Sequence, residues 1–110
     1  MSCSEADIQV VLVTAPDIDV ATRIAGALVE ERLAACVNLV PGVRSIYRWN
    51  GRVENDSEVL MIIKTRADRS VELTERVRAL HPYDTPEVVL IPVAGGSRDY
   101  LDWVRAEATP

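Results

Sequence analysis

Two side chains are of types that suit a divalent metal ion: His81, the one histidine, and Cys36. Neutral imidazole and thiolate are common ligands for borderline and soft metals. His81 precedes Pro82-Tyr83 at the expected end of a helix, with Asp84 and Glu87 close by. Its structural role there is to bond the last carbonyls, where the helix dipole favours a partly protonated ring. Its alternative role is as a metal ligand, helped by a carboxylate or by copies of itself in an assembly. Cys36 sits among apolar strand residues, where a free thiol usually packs as a small hydrophobe. Nearby Asn38 is an amide that needs hydrogen-bond partners when buried, and a bulge at Pro41-Gly42 is one source of them. Glu58 and Lys64 bracket another strand. They read either as solvated strand ends or as an ion pair or anion contact in a cleft. Tyr83, Glu87 and Trp103 are further candidates to line that cleft, with core packing the alternative for the aromatics.

Catalysis has little to build on. The sequence has no nucleophile–base pair, no Gly-x-Ser-x-Gly, no Cys-x-x-Cys and no phosphate loop, and Gly95-Gly96-Ser97 reads as a turn. The chain is therefore expected not to be an enzyme.

The element that must position most of these residues is a long hairpin folded at Trp49-Asn50-Gly51-Arg52. Asn-Gly suits a type I′ turn, which needs positive φ at both central residues. Arms running over Cys36–Trp49 and Arg52–Thr65 span roughly 46 Å each at about 3.3 Å per residue. A compact domain of this length has a diameter of only roughly 34 Å. The hairpin should therefore overhang its own domain and reach a partner. Tyr47, Arg48 and Trp49 at its tip are expected as interface anchors, since these residue types are enriched at hot spots.

The remaining elements follow in order. Ile8–Ala15 is a β-branched run with two apolar faces, hence a central strand. Asp17 or Asp19 caps a helix with Val20, Ile24, Ala27 and Leu28 at helical spacing, running to about Arg32. The next strand begins near Ala34, and its Pro41-Gly42 marks an edge or a bulge. Glu58–Thr65 is again apolar on both faces and central. A second helix spans about Asp68–Leu80, with Leu73, Val77 and Leu80 buried and Pro82 forcing its end. Glu87–Val93 forms an edge strand, and Asp99–Glu107 a last helix. The order predicts an α+β, ferredoxin-like split β-α-β-β-α-β sandwich with both long helices on one face. This chain offers little to cover the other face, which implies burial by neighbouring subunits.

The totals fit one domain over residues 8–110 after a flexible tail, 1–7. The chain has 110 residues, is 48% hydrophobic without any Phe, and carries a net charge of −5. That balance argues against a nucleic-acid surface. The acidic N-terminus does not read as a signal peptide, and no apolar run reaches the length of a membrane span. Cys3 and Cys36 do not suggest a disulfide framework, so a reducing, cytoplasmic setting is the expectation.

A series of motifs then stands in order: Glu31-Arg32-Leu33-Ala34-Ala35-Cys36-Val37-Asn38, Pro41-Gly42, Ser45-Ile46-Tyr47-Arg48-Trp49-Asn50-Gly51, Glu58, Lys64-Thr65, His81-Pro82-Tyr83, Pro86-Glu87 and Tyr100-Leu101-Asp102-Trp103. With these, the sequence closely resembles the divalent-cation tolerance protein family, CutA, from about Val11 to Val104. The resemblance implies a tight homotrimer of ferredoxin-like subunits, similar in architecture to nitrogen-regulatory signalling trimers. It also implies a link to copper and other divalent metals in bacteria, and to membrane-protein anchoring or maturation in animals. It implies no catalytic activity. Some members are proposed to hold copper through a Cys just before the Thr-Ala-Pro motif and two His before the Pro-Tyr motif. Here Val13 and Leu80 occupy two of those positions, and only His81 carries the ligand.

The function expected is thus divalent-cation tolerance or homeostasis by a cytoplasmic homotrimer. No cofactor is required beyond a weakly bound divalent metal such as copper. The partners are other copies and divalent cations, with no nucleic acid and no membrane. The alternative is a trimeric signalling or scaffold protein that binds a small anion or a partner protein in its inter-subunit clefts.

Overall fold

The structure, a computed structural model, describes residues 7–110. Cys3 and the first six residues of the expected tail lie outside the described residues. Asp7 does not hang free: its carboxylate accepts from Arg105 at 2.7 and 3.0 Å.

The chain forms β1 (Ile8–Ala15), α1 (Ile18–Glu30), β2 (Cys36–Trp49), β3 (Arg52–Arg66), a 3-10 turn (Ala67–Arg69), α2 (Ser70–Leu80), β4 (Val89–Pro92) and α3 (Arg98–Glu107). The four strands make one sheet in the order β2-β3-β1-β4. Every neighbouring pair is antiparallel. The two proline-bearing strands are at the edges, where a missing N–H costs no ladder bond.

Asp17 caps α1, its carboxylate accepting from the Val20 N–H at 2.8 Å, a contact worth about 1 kcal/mol. Ala21, Ile24 and Leu28 of α1 and Leu73 and Val77 of α2 are fully buried against Val11, Val13, Val59, Met61 and Ile63. The register pairs Val11 with Ile63 and Val13 with Met61, so these residues share one face of the sheet. The Thr65 hydroxyl, also buried, donates to the Leu33 carbonyl at 2.7 Å and ties β3 to the end of the α1 turn.

The second face differs from the expectation in one respect. α3 belongs to it: Leu101, Val104 and Ala108 pack with Ile8 and Ala35. It covers only the Ile8 end. Leu12 and Ile62 pair across the sheet and are half-buried. Beside them Val89 and Ile91 are 47% and 41% exposed. β4 is also shorter than the predicted Glu87–Val93: the ladder with β1 runs over residues 89–92, with one more bond from the Val93 N–H to the Ile8 carbonyl at 3.1 Å.

The hairpin has the predicted turn, with φ of 51° at Asn50 and 77° at Gly51. Pro41-Gly42 is a bulge: Val40 pairs with Leu60 and Val43 with Glu58, which leaves one extra residue on β2. Gly42 takes φ 78° there. The molecule measures 47 × 25 × 22 Å, with a radius of gyration of 14.6 Å. A compact chain of this length would have about 13 Å, and the excess lies along the hairpin.

Candidate ligand cleft

A cavity of about 810 Å³ opens between the hairpin and the segment that follows α2. The hairpin contributes Tyr47, Trp49 and Arg44, and the segment contributes Tyr83, Asp84 and Glu87. Thr14 and Glu58 line it from the ends of β1 and the inner β3 ladder.

Glu58 is buried, at 8% exposure, and accepts a hydrogen bond from the Tyr83 hydroxyl at 3.1 Å. Partial burial, and then this bond, push the Tyr83 phenol up to about 12. Partial desolvation and then the Glu58 charge raise the carboxyl of Glu87 above its ordinary value. Tyr47 donates to Asp56, and chiefly for that reason its phenol is also raised to about 12. Arg44 donates to the Asn55 side-chain carbonyl at 2.8 Å. Arg48, between Tyr47 and Trp49, does not line the cavity.

His81 borders this cleft as a fastener. Its Nε2–H donates to the Thr14 carbonyl at 2.7 Å, and its Nδ1 accepts from the Tyr83 N–H at 3.1 Å. The ring is therefore the Nε2–H tautomer, 7% exposed, its centroid 4.7 Å from that of Tyr83 and its plane tilted 52° to it. The side chain does not bond the last carbonyls of its own helix; only its backbone N–H does, to Val77 at 2.8 Å. Both ring nitrogens are engaged within the subunit. Among the described residues no group of three or more His, Cys, Asp or Glu is arranged to hold a metal ion.

The other candidates gather elsewhere. Cys36 and Lys64 are register partners near the opposite end of the central ladder. Lys64 donates to the Asn38 side chain, and the Cys36 sulfur is 4.0 Å from the same oxygen. Lys64 therefore meets an amide, with no bulge involved, and Asn38 is exposed. Trp103, 43% exposed, sits on α3 with Tyr100 at a ring separation of 5.7 Å, not in the cavity. Glu58, Tyr83 and Glu87 are thus brought together with Tyr47 and Trp49, while Lys64, Cys36 and Trp103 are not.

Sequence reasoning missed Asp56, Arg44 and Thr14. Counting out from Asn50-Gly51 sets Asp56 opposite Ser45 and diagonal to Tyr47, so the hairpin register held the signal for Asp56. Nothing local marks Thr14, which reaches the cleft through sheet order alone.

Fold and cleft together define a class: small α+β proteins with a four-stranded antiparallel sheet, three helices and a hairpin that outreaches the domain. The family model described as CutA1 divalent ion tolerance protein matches residues 9–107. The chain belongs to this family. It is 59% identical over 97 residues to the divalent-cation tolerance protein CutA of Thermus thermophilus, covering 88% of this chain and 94% of that one. It is 55% identical over 93 residues to Protein CutA of Homo sapiens, covering 84% of this chain and 52% of that one. The chain spans about half the length of the plant and animal proteins it matches, of which the Arabidopsis thaliana one is named chloroplastic. The solved structure of the divalent cation tolerance protein from Thermus thermophilus superposes with a TM-score of 0.89 at 57% identity, over 91% of this chain and 97% of that one. A structure titled as the periplasmic divalent cation tolerance protein CutA of Archaeoglobus fulgidus gives 0.90 at 38% identity, over 93% and 99%. The family is named for cation tolerance, not for a reaction. No helix among the described residues is long and apolar enough to cross a membrane.

Proposed function

We propose that this chain serves divalent-cation tolerance as a cytoplasmic homotrimer of ferredoxin-like subunits that takes a divalent metal such as copper weakly, with no cofactor required. The observation that carries this reading is the family match across residues 9–107. The side chains refine where the ion goes. His81 has both nitrogens engaged, by Thr14 and Tyr83. Cys36 stands at the other end of the ladder, beside Lys64. That leaves the cleft carboxylates. Desolvation, and then the Glu58 charge, raise Glu87, and a cation held in the cleft offsets both. Two carboxylates without a third ligand make a weak site, which fits reversible capture better than storage. Calorimetric titration with copper, zinc, nickel and cobalt should show saturable heat that Glu58→Gln and Glu87→Gln diminish. No heat with any of the four overturns the metal reading.

The cavity's size favours a second reading, a trimeric signalling or scaffold protein with a small molecule in the cleft. About 810 Å³ falls within the range of ordinary small-molecule sites. The lining carries Glu58, Asp84 and Glu87 against Arg44, which favours a cation over the anion expected from the sequence.

A further inference from the structure

We infer that the cleft of one subunit receives the Lys64 side chain of the next, whose ammonium pairs with Glu58. The inference rests on the homotrimer reading above and needs no bound metal.

Glu58 and Lys64 belong to one strand, β3, and to one face of it. Val59, Met61 and Ile63 between them are buried in the helix-side core. Alternation therefore sets Glu58, Leu60, Ile62 and Lys64 on the second face, the one that α3 covers only at the Ile8 end. Six residues separate the two charges, roughly 20 Å at about 3.3 Å per residue. No side chain closes that gap within a subunit.

Neither charge is neutralised among the described residues. Glu58, 8% exposed, accepts from the uncharged Tyr83 hydroxyl. Lys64, half-buried, donates to the uncharged Asn38 amide. Neither takes part in an ion pair there. Water reaches Lys64 in a lone subunit. Once another copy covers this face that water is lost, and a buried ammonium without a counter-charge is strongly unfavourable.

The two positions suit a contact between copies. A head-to-tail interface joins two different patches of one chain, and a closed ring repeats that junction at every interface. An acidic recess at one end of a face and a cation at its other end are two such patches. Between them lie Leu12 and Ile62, which the subunit itself leaves half-buried. Glu58 lines a cavity of about 810 Å³, which has room for a four-carbon lysine stem. Arg44, the cation on the same lining, gives its hydrogen bond to Asn55, which leaves Glu58 to a cation from outside the subunit.

The test is a double-mutant cycle on assembly, read by sedimentation equilibrium over a dilution series. Lys64→Met and Glu58→Gln remove each charge and keep most of the side-chain volume. Each alone should weaken assembly by about thirtyfold or more, because it leaves the other charge buried and unpaired. The two together should cost no more than either alone. Additive losses overturn the inference. A second measurement uses the unmodified sequence, with nitrogen-15-labelled and unlabelled chains refolded together. A water-soluble carbodiimide, which joins an ammonium to a carboxylate in contact, should link Lys64 of one label to Glu58 of the other. A trimer without a Lys64–Glu58 link between labels also overturns it. An unmodified chain that sediments as a monomer overturns the homotrimer reading and this inference with it, whereas a trimer with additive losses sinks this one alone.

Discussion

At the residue scale, His81 and Tyr83 form one unit with Glu58. His81 joins the end of α2 to β1 through the Thr14 carbonyl, and its other nitrogen fixes the backbone of Tyr83, whose hydroxyl reaches Glu58. His81→Ala strands the Thr14 carbonyl and the Tyr83 N–H in a part-buried position. It should cost about 1–3 kcal/mol in urea denaturation. Its effect on metal heats should be smaller than that of Glu58→Gln, because neither ring nitrogen is free. The pH dependence has a definite sign. The Tyr83 phenol is raised from 10.0 to about 12, so the bond to Glu58 contributes fully below pH 10 and is lost as pH climbs through about 12. Tyr83→Phe should lower stability at neutral pH, where the bond is fully present, and flatten the profile in that window. Glu87 is also raised, so its charged form is disfavoured in the folded state and costs stability above the ordinary carboxylate range. Glu87→Gln should therefore raise the thermal midpoint slightly at pH 7 and not at pH 3.

At the element scale, two glycines with equal room around them should respond in opposite directions. An added Cβ would meet nothing within 4 Å at either Gly26 or Gly42. Gly42 holds φ 78° in the bulge, where an L-residue is strained, so Gly42→Ala should destabilise by about 1–2 kcal/mol. Gly26 lies inside α1, and Gly26→Ala should stabilise by about 0.5–1 kcal/mol. Chemical denaturation of the pair isolates the conformational term from packing. The bulge itself was legible in the sequence because Pro41-Gly42 cannot continue a ladder. The Asn50-Gly51 turn, the Asp17 cap and the two edge strands were legible for equally local reasons. β4 was overextended because Glu87-Val88 has strand composition yet finds no partner on β1, and pairing is a tertiary fact. α3 was read correctly as a helix, but its seat over Ile8 depends on where the chain returns after β4. The cleft was half legible: Glu58, Tyr83 and Glu87 were named, whereas Lys64 and Trp103 were grouped with them on sequence that carries no distances.

At the scale of the whole molecule, the single subunit leaves two surfaces open that one arrangement covers. The first is the second face of the sheet, where α3 covers the Ile8 end and leaves Leu12 and Ile62 half-buried beside exposed Val89 and Ile91. The second is the hairpin, which stretches the molecule to 47 Å and exposes Ile46, Val53 and Trp49 at its tip. A hairpin from one subunit laid on the sheet of the next is a head-to-tail contact when it is not returned by the same neighbour. Such contacts either close into a ring or run on as a filament, and a small soluble assembly requires closure. A twofold dimer that exchanges hairpins reciprocally covers the same two surfaces, so the molecular mass separates it from the proposed homotrimer. On the proposed homotrimer, light scattering after size exclusion should give about 36 kDa, three chains of 12.1 kDa. Ile62→Asp and Ile91→Asp place a charge on the covered face without touching the helix-side core, so each should yield folded species of lower mass. The thermal midpoint of the unmodified protein should rise with concentration, as it must when only the folded state associates. A monomer at micromolar concentration with an intact sheet would sink the head-to-tail argument, because the second face would then be stable in water.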